Sequence, residues 1–452
     1  MGKRKFSGIR PVFEQEIKYL KDKLGIEIPS NKCFMERLQI KAFTGKEKTK
    51  ILYKIKVNRE EMKLEVKESC NYDESKLLNW DEIIQLYSDK LLNLEKESIS
   101  LITNKLNQYY EHHPLVLTSG GKDSTVLLHL VRSANPNIKA ICNNTSNEAG
   151  EHYIHLKKIP NLEWIHPKVA FLKYCEQENF IPSVFGRNCC RVYKHETTIE
   201  KLEQEKKYLF FMGMRNVEGQ KRAEYIDEHN ADYYPVTWKG ILPIRKWNTL
   251  DIWLYILDKK LEFSQIYIKG YSRCGCLICP YRTLYEDILT REYFLKRIKR
   301  FEKIQENNFK TKKRWIYLNC TLQEFIDYGW KGRRVREEPT QEVIEEFADY
   351  MGIKEEIAKK YFNQVCNCQR NKEKQLFLKD FEVALNLKYL GRKTNKLLCI
   401  NCLAEYLAQS EIEDIKRRNK RHKTKVKNAI GNKKKELEKN IEQFKSQGCQ
   451  LF

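Results

Sequence analysis

Apolar and charged residues alternate in two runs near the start of the chain, Lys50-Ile51-Leu52-Tyr53-Lys54-Ile55-Lys56-Val57 and Met62-Lys63-Leu64-Glu65-Val66. A period of two puts the apolar side chains on one face, so both runs are predicted to be half-exposed strands. From Trp80 to Tyr110 the apolar positions fall at helical spacing, and one long helix is predicted. Beyond about residue 112 the pattern changes again: short apolar runs at Leu115 to Thr118, Ile138 to Asn143, Leu162 to Ile165 and Tyr208 to Met212 alternate with amphipathic segments. That alternation predicts an α/β fold built on a doubly wound parallel sheet, whose ligands sit beyond the carboxyl ends of the strands. The resulting division is an N-terminal α+β accessory region (1–110), the sheet domain (111–290), a helical region (291–365), a cysteine module (366–405) and a basic helical tail (406–452).

At the end of the first sheet strand stands Pro114-Leu115-Val116-Leu117-Thr118-Ser119-Gly120-Gly121-Lys122-Asp123-Ser124-Thr125, followed by the apolar run Val126 to Val131. A strand that enters a two-glycine turn and opens directly into a helix brings free backbone amides and a lysine to one anion-sized space. The pattern is not a Walker A loop, which needs glycine where Val116 stands and Ser or Thr where Asp123 stands.

With 452 residues, 41% of them hydrophobic, the chain is long enough for two or three domains. No stretch is apolar for long enough to span a bilayer, and Met1-Gly2-Lys3-Arg4-Lys5-Phe6 lacks a signal-peptide core, so a soluble cytoplasmic protein without membrane contact is expected. The 15 cysteines are clustered in a way that favours metal or iron-sulfur ligation over a disulfide framework. A net charge of +23 suits a nucleic acid partner, with a generally lysine-rich surface as the alternative. The same two readings apply to Lys416-Arg417-Arg418-Asn419-Lys420-Arg421-His422-Lys423.

The loop resembles the Ser-Gly-Gly-x-Asp-Ser PP-loop of the adenine nucleotide alpha-hydrolase superfamily. Further segments narrow the resemblance to its phosphoadenosine phosphosulfate (PAPS) reductase family. Thr145-Ser146-Asn147-Glu148 is similar to the Thr-x-x-Glu turn after the second strand, and Cys189-Cys190-Arg191-Val192-Tyr193-Lys194 to a Cys-Cys-x-x-x-Lys element. Gly213-Met214-Arg215-Asn216-Val217-Glu218-Gly219-Gln220-Lys221-Arg222 resembles Gly-x-Arg-x-x-Glu-Ser-x-x-Arg, with Gly219 where serine is usual. Pro243-Ile244-Arg245-Lys246-Trp247-Asn248-Thr249-Leu250-Asp251-Ile252-Trp253 is close to the Pro-Ile-x-x-Trp-x-x-x-Asp-Val-Trp signature. The resemblance implies an adenine nucleotide (ATP, or APS or PAPS) held by Ser119, Gly120, Gly121, Lys122, Asp123, Ser124, Thr145, Glu148, Arg215 and Arg222. It puts Lys122, Asp123 and Arg215 in the catalytic role. Guanidinium forks at Arg215 and Arg222 suit phosphate or sulfate oxygens, and Asp123 or Glu148 suits Mg2+ or a lysine partner. Arg222 also reads as a surface ion pair, and Thr249 to Trp253 as a helix start that packs an aromatic into the core.

Cys189 and Cys190, with Cys276 and Cys279, resemble the Cys-Cys and Cys-x-x-Cys ligands of a 4Fe-4S cluster in assimilatory sulfonucleotide reductases. Tetrahedral zinc and inert buried thiols are the alternatives, and Cys274 is a spare thiol beside the second pair. Cys366 and Cys368 with Cys399 and Cys402 have the spacing of a closed structural Zn2+ site, flanked by Arg392, Lys393 and Lys396. Two chemistries compete within the family: ATP-using sulfur transfer, as in Dnd-type DNA phosphorothioation proteins or tRNA thiolation, and sulfite release from APS or PAPS. The intact loop resembles the first group. The tail around Cys449 lacks the Glu, Gly and His that flank the reductase nucleophile. The expected partners are an adenine nucleotide, DNA or tRNA on the basic terminal segments, and a cysteine desulfurase or an electron-donor protein. A nucleotide-sensing DNA-binding regulator without turnover is the reading from another class.

Overall fold

Polar and apolar residues alternate most regularly in Lys48–Asn58 (β4), and this strand buries Leu52, Tyr53 and Ile55 while its lysines face outward. In the computed structural model of the chain, β4 belongs to an antiparallel sheet with β1 (Arg10–Pro11), β2 (Cys33–Glu36), β3 (Gln39–Gly45) and β5 (Lys63–Ser69), in the order β1-β2-β3-β4-β5. The structure describes residues 8–184, 188–230, 234–312, 314–332, 335–336, 338–362, 380–390, 398–409, 413 and 423–447. The two expected strands are therefore present, and three more precede them. Helix α1 (Glu14–Leu24) lies between β1 and β2 and ends on Gly25, whose φ of 66° is the left-handed conformation that closes a helix.

The long helix α2 runs Trp80–Gln108 from an Asn79 capping box completed by Glu82. It buries Ile83, Tyr87, Leu91, Ser98 and Ile102, one stripe at helical spacing. Ser98 is polar in that stripe because it has two partners: it donates to the Pro243 carbonyl at 3.0 Å and accepts from the Trp247 indole at 3.1 Å.

The second sheet is wholly parallel, in the order β10-β9-β6-β7-β8, formed by β6 (His113–Leu117), β7 (Lys139–Asn143), β8 (Leu162–Ile165), β9 (Tyr208–Met212) and β10 (Lys239–Ile241). The chain starts at the central β6, builds outward through β7 and β8, then returns to the other side of β6 for β9 and β10. The order therefore reverses between β6 and β9, and ligands of doubly wound sheets bind at such a reversal. Alternate residues serve the two faces: Val116, Ala140, Leu209 and Phe211 join a continuous core that also takes in the N-terminal sheet and α2, whereas Leu115, Ile141, Tyr208 and Phe210 pack with Trp238 on the opposite face. Helix α3 (Lys122–Ala134) follows β6 and α4 (Gly150–Lys157) follows β7. The Thr249–Asp258 helix starts from an Asn248 capping box with Asp251 and buries Trp253 completely, which is the packing role expected for that segment.

The chain divides into two compact units. The first contains both sheets and comprises Met1–Phe171, Arg191–Ile278 and Arg282–Leu295; the second comprises Leu172–Cys190, Cys279–Tyr281 and Lys296–Phe452. The second is helical where described. One cluster gathers Trp315, Phe309, Phe325 and Phe347, and another gathers Leu385, Leu403, Ala404, Leu437 and Ile441. The basic tail contains the helix Lys423–Gln447. Among the described residues no helix is long and apolar enough to cross a membrane.

Candidate functional site

The loop after β6 is set by its glycines. Gly120 has φ +64°, and a Cβ there would lie 2.5 Å from Leu156 Cδ2 and 2.9 Å from His152 Cε1. Both the backbone conformation and the space exclude a side chain. Gly121 is the N-cap of α3 without a side-chain cap; the Lys122 amide that opens the helix is taken by Tyr267 Oη at 2.9 Å, which leaves the next amides of the first turn as the ones to face a ligand. Ser124 Oγ donates to the Gly121 carbonyl at 3.0 Å and accepts from the Ser119 amide at 3.3 Å, which ties the two ends of the turn together.

Three charged groups meet where β6 and β9 diverge. Lys122 Nζ lies 2.9 Å from Asp123 Oδ2, and Arg215, carried just beyond β9, places Nε 2.7 Å from Asp123 Oδ1. Arg215 is 3% exposed and is also held by the Trp247 carbonyl at 3.4 Å and Thr249 Oγ1 at 3.3 Å. Burial acts to raise the Asp123 carboxyl, but Lys122 and Arg215 outweigh it and hold the group below the usual carboxylate range. Asp123 Oδ1 and Arg215 Nε are both buried and are engaged with each other in this ion pair.

The turn after β7 forms a second wall. Thr145 donates to Glu148, Tyr153 donates to the other Glu148 oxygen at 2.6 Å, and Thr145 Oγ1 lies 3.4 Å from Cys276 Sγ. Glu148 is thus an organiser of its own turn. Arg222 is half-exposed and paired with Glu218, which also accepts from the Arg215 amide at 3.1 Å.

Sequence reasoning missed the support behind the loop. Tyr267 Oη accepts from the Lys122 amide at 2.9 Å and from the Cys274 amide at 3.3 Å, which uses both lone pairs and leaves its proton for Cys274 Sγ at 3.3 Å. His152 Nε2 donates to the Ser119 carbonyl at 2.7 Å, with Nδ1 3.0 Å from Ser264 Oγ. Burial acts to raise the Cys274 thiol, and His152, Tyr267 and Lys122 outweigh it, bringing it below its ordinary value. Cys274 carried a hint in its neighbour Cys276; Tyr267 and Ser264 carried none.

Of the cysteines expected to hold iron and sulfur, Cys276 belongs to the first unit and Cys189, Cys190 and Cys279 to the second; all four are half-buried. Cys399 is buried at the N-cap of the Ile400–Leu407 helix and Cys402 is half-buried in its first turn. Their expected zinc partners Cys366 and Cys368 lie outside the described residues, as do Cys449 and the run Lys416 to His422. Among the described residues no three His, Cys, Asp or Glu side chains are grouped as metal ligands.

A doubly wound sheet with an uncapped glycine loop, a lysine and a buried arginine at its point of reversal defines a nucleotide-binding α/β protein. Residues 113–282 match the phosphoadenosine phosphosulfate reductase domain family. The chain is 28% identical over 231 residues to the uncharacterized protein MJ0066 of Methanocaldococcus jannaschii, covering 48% of this chain and 47% of that protein. It is 25% identical over 177 residues to an adenosine 5'-phosphosulfate reductase of Bacillus cereus (strain AH187), covering 38% of this chain and 74% of that enzyme. Among solved structures, the PAPS reductase from Candida auris in its phosphate complex aligns with a TM-score of 0.33 at 14% identity, over 46% of this chain and 98% of that chain. The chain spans about half the length of the M. jannaschii relatives that it matches. Residues 113–282 are thus a domain of the PAPS reductase family in the nucleotide alpha-hydrolase superfamily.

Proposed function

We propose that the protein is an ATP-using sulfur-transfer enzyme that activates its acceptor by reaction at the α-phosphate with release of pyrophosphate. The observation that carries this reading is the complete loop: Gly120 in its left-handed conformation, the start of α3 without a side-chain cap, and Lys122, Asp123 and Arg215 linked at its mouth. The amides and Lys122 hold the pyrophosphate oxygens, and Arg215 meets the charge that develops as the bond to the α-phosphate breaks. Asp123 keeps both cations in place and, with its spare lone pairs, suits Mg2+ brought in with ATP. Glu148 shapes the wall through Thr145 and Tyr153. A nucleic acid acceptor, DNA in a phosphorothioation-like reaction or tRNA in thiolation, fits the net charge of +23. A cysteine desulfurase is the sulfur source in this scheme.

The 4Fe-4S cluster on Cys189, Cys190, Cys276 and Cys279 and the Zn2+ on Cys366, Cys368, Cys399 and Cys402 belong to the same proposal and rest on sequence spacing. When bound, the cluster would supply thiolate-ligated iron for electron or sulfur handling. The similarity to an adenosine 5'-phosphosulfate reductase supports a second reading, release of sulfite from APS or PAPS.

Lys122→Ala tests the first reading. Pyrophosphate release from ATP is expected to fall about 10²- to 10³-fold, the usual effect of removing one electrostatic stabiliser from a transition state. Unchanged release would remove the loop from the chemistry.

A further inference from the structure

Residues 274–278 of the first unit form neither helix nor strand, yet their backbone is held from three sides. The Cys274 amide donates to Tyr267 Oη at 3.3 Å. Arg282 donates through Nε to the Cys276 carbonyl at 2.8 Å and through Nη2 to the Gly275 carbonyl at 3.2 Å; its buried side chain lies 3.6 Å from Glu286. Asn147 supplies the third side. Its Nδ2 donates to the Ile278 carbonyl at 2.9 Å, its Oδ1 accepts from the Ile278 amide at 3.2 Å, and its own carbonyl accepts from the Leu277 amide at 2.6 Å. Asn147 is 1% exposed, and its side-chain amide is spent on the backbone of one residue 131 positions away, in an exchange of two bonds like that between antiparallel strands. Irregular backbone fixed by buried side chains is the support on which precise sites are built. Here it carries two thiols: Cys276 Sγ lies 3.4 Å from Thr145 Oγ1, and Cys274 Sγ lies 3.1 Å from where a Cβ on Gly121 would stand. The segment therefore abuts both the turn after β7 and the phosphate loop.

We propose that Asn147 is a positioning residue: it fastens the cysteine segment to the turn after β7 and so keeps the Cys276 thiol against the nucleotide wall, where sulfur transfer needs it. Asn147 stands between Thr145 and Glu148, so one short turn carries both the wall and the fastening. An aliphatic side chain would fill the same buried space; an amide is called for because the Ile278 N–H and C=O need partners there. Tyr267 does the same at the other end of the segment, where one hydroxyl serves the Lys122 amide and Cys274. The inference deepens the sulfur-transfer reading and rests on it for the role of Cys276, whereas the fastening does not depend on that reading.

The test compares iodoacetamide alkylation of individual cysteines, read by mass spectrometry, in the anaerobically purified full chain and in Asn147→Ala. Alkylation of Cys276 is expected to rise about tenfold through local opening of its segment, while Cys33, buried in β2, keeps its rate. In parallel, sulfur incorporation into bulk tRNA or duplex DNA, with a cysteine desulfurase as the source, is expected to lose about tenfold in kcat with the KM for ATP within about threefold, the pattern of an effect confined to the reaction step. Unchanged Cys276 alkylation in the folded variant, an equal rise at Cys33, or a raised KM with unchanged kcat would each overturn the proposal. If the melting transition shows that Asn147→Ala does not fold, Asn147→Ser, whose hydroxyl is too short to bridge both Ile278 groups, takes its place. A parent that incorporates no sulfur would remove the functional reading, and the alkylation result would then decide on Asn147 alone.

Discussion

Asp123 carries more than its exposure of 19% suggests, because it is the counter-charge of both Lys122 and Arg215. Replacing one member of a buried ion-pair network leaves the others uncompensated, at a cost of about 3 kcal/mol. Asp123→Asn is therefore expected to lower stability by about that amount and to loosen Arg215. Acid titration checks the origin of the effect. The folded carboxyl is held below its unfolded value, so its contribution is complete above about pH 4 and fades as the pH falls through the folded value. Urea unfolding at pH 7 and at successively lower pH should show the gap between the parent and Asp123→Asn narrowing on acidification; a gap independent of pH would place the effect in packing. His152 and Tyr267 act on the same loop from behind, through the Ser119 carbonyl and the Lys122 amide.

The turn between β6 and α3 is where backbone geometry and chemistry coincide. A non-glycine residue in the left-handed region costs about 1–3 kcal/mol, and at Gly120 the added Cβ also meets Leu156. Gly120→Ala is expected to lose pyrophosphate binding in calorimetry and to unfold several degrees earlier. Retained binding would mean that the loop adapts. This turn was legible in the sequence because strand, glycines, lysine and helix are contiguous. So were β6 to β9, whose apolar runs are four or five residues long. β1 and β10 were not legible, being two and three residues long with a proline or a glycine inside. Within β10 a Cβ at Gly240 would lie 2.2 Å from the His229 carbonyl, so no side chain fits there. Arg215 was found through its motif, but its partnership with Asp123 follows from the sheet order, which places β9 beside β6. Tyr267 and Ser264 reach the loop from far along the chain, a proximity that no local pattern announces.

The continuous core makes one folded unit of the antiparallel sheet, α2 and the nucleotide-binding sheet, so the N-terminal region buttresses the site's scaffold through Ser98, Pro243 and Trp247. If the net charge of +23 serves the nucleic acid acceptor of the proposed reaction, binding should rest on phosphate contacts. For ~6–10 such contacts, affinity for duplex DNA should fall ~10³- to 10⁵-fold between ~50 and ~200 mM salt. A flat salt response in filter binding would assign the lysines to a solvated surface. The claim on which the functional reading turns is that the loop holds the pyrophosphate of ATP. Anaerobically purified protein incubated in parallel with ATP, APS and PAPS, with and without DNA or tRNA, and assayed for pyrophosphate and sulfite, tests it directly. Pyrophosphate released from ATP, increased by nucleic acid and lost in Lys122→Ala, is the expected result; sulfite from APS or PAPS with no turnover of ATP would contradict it.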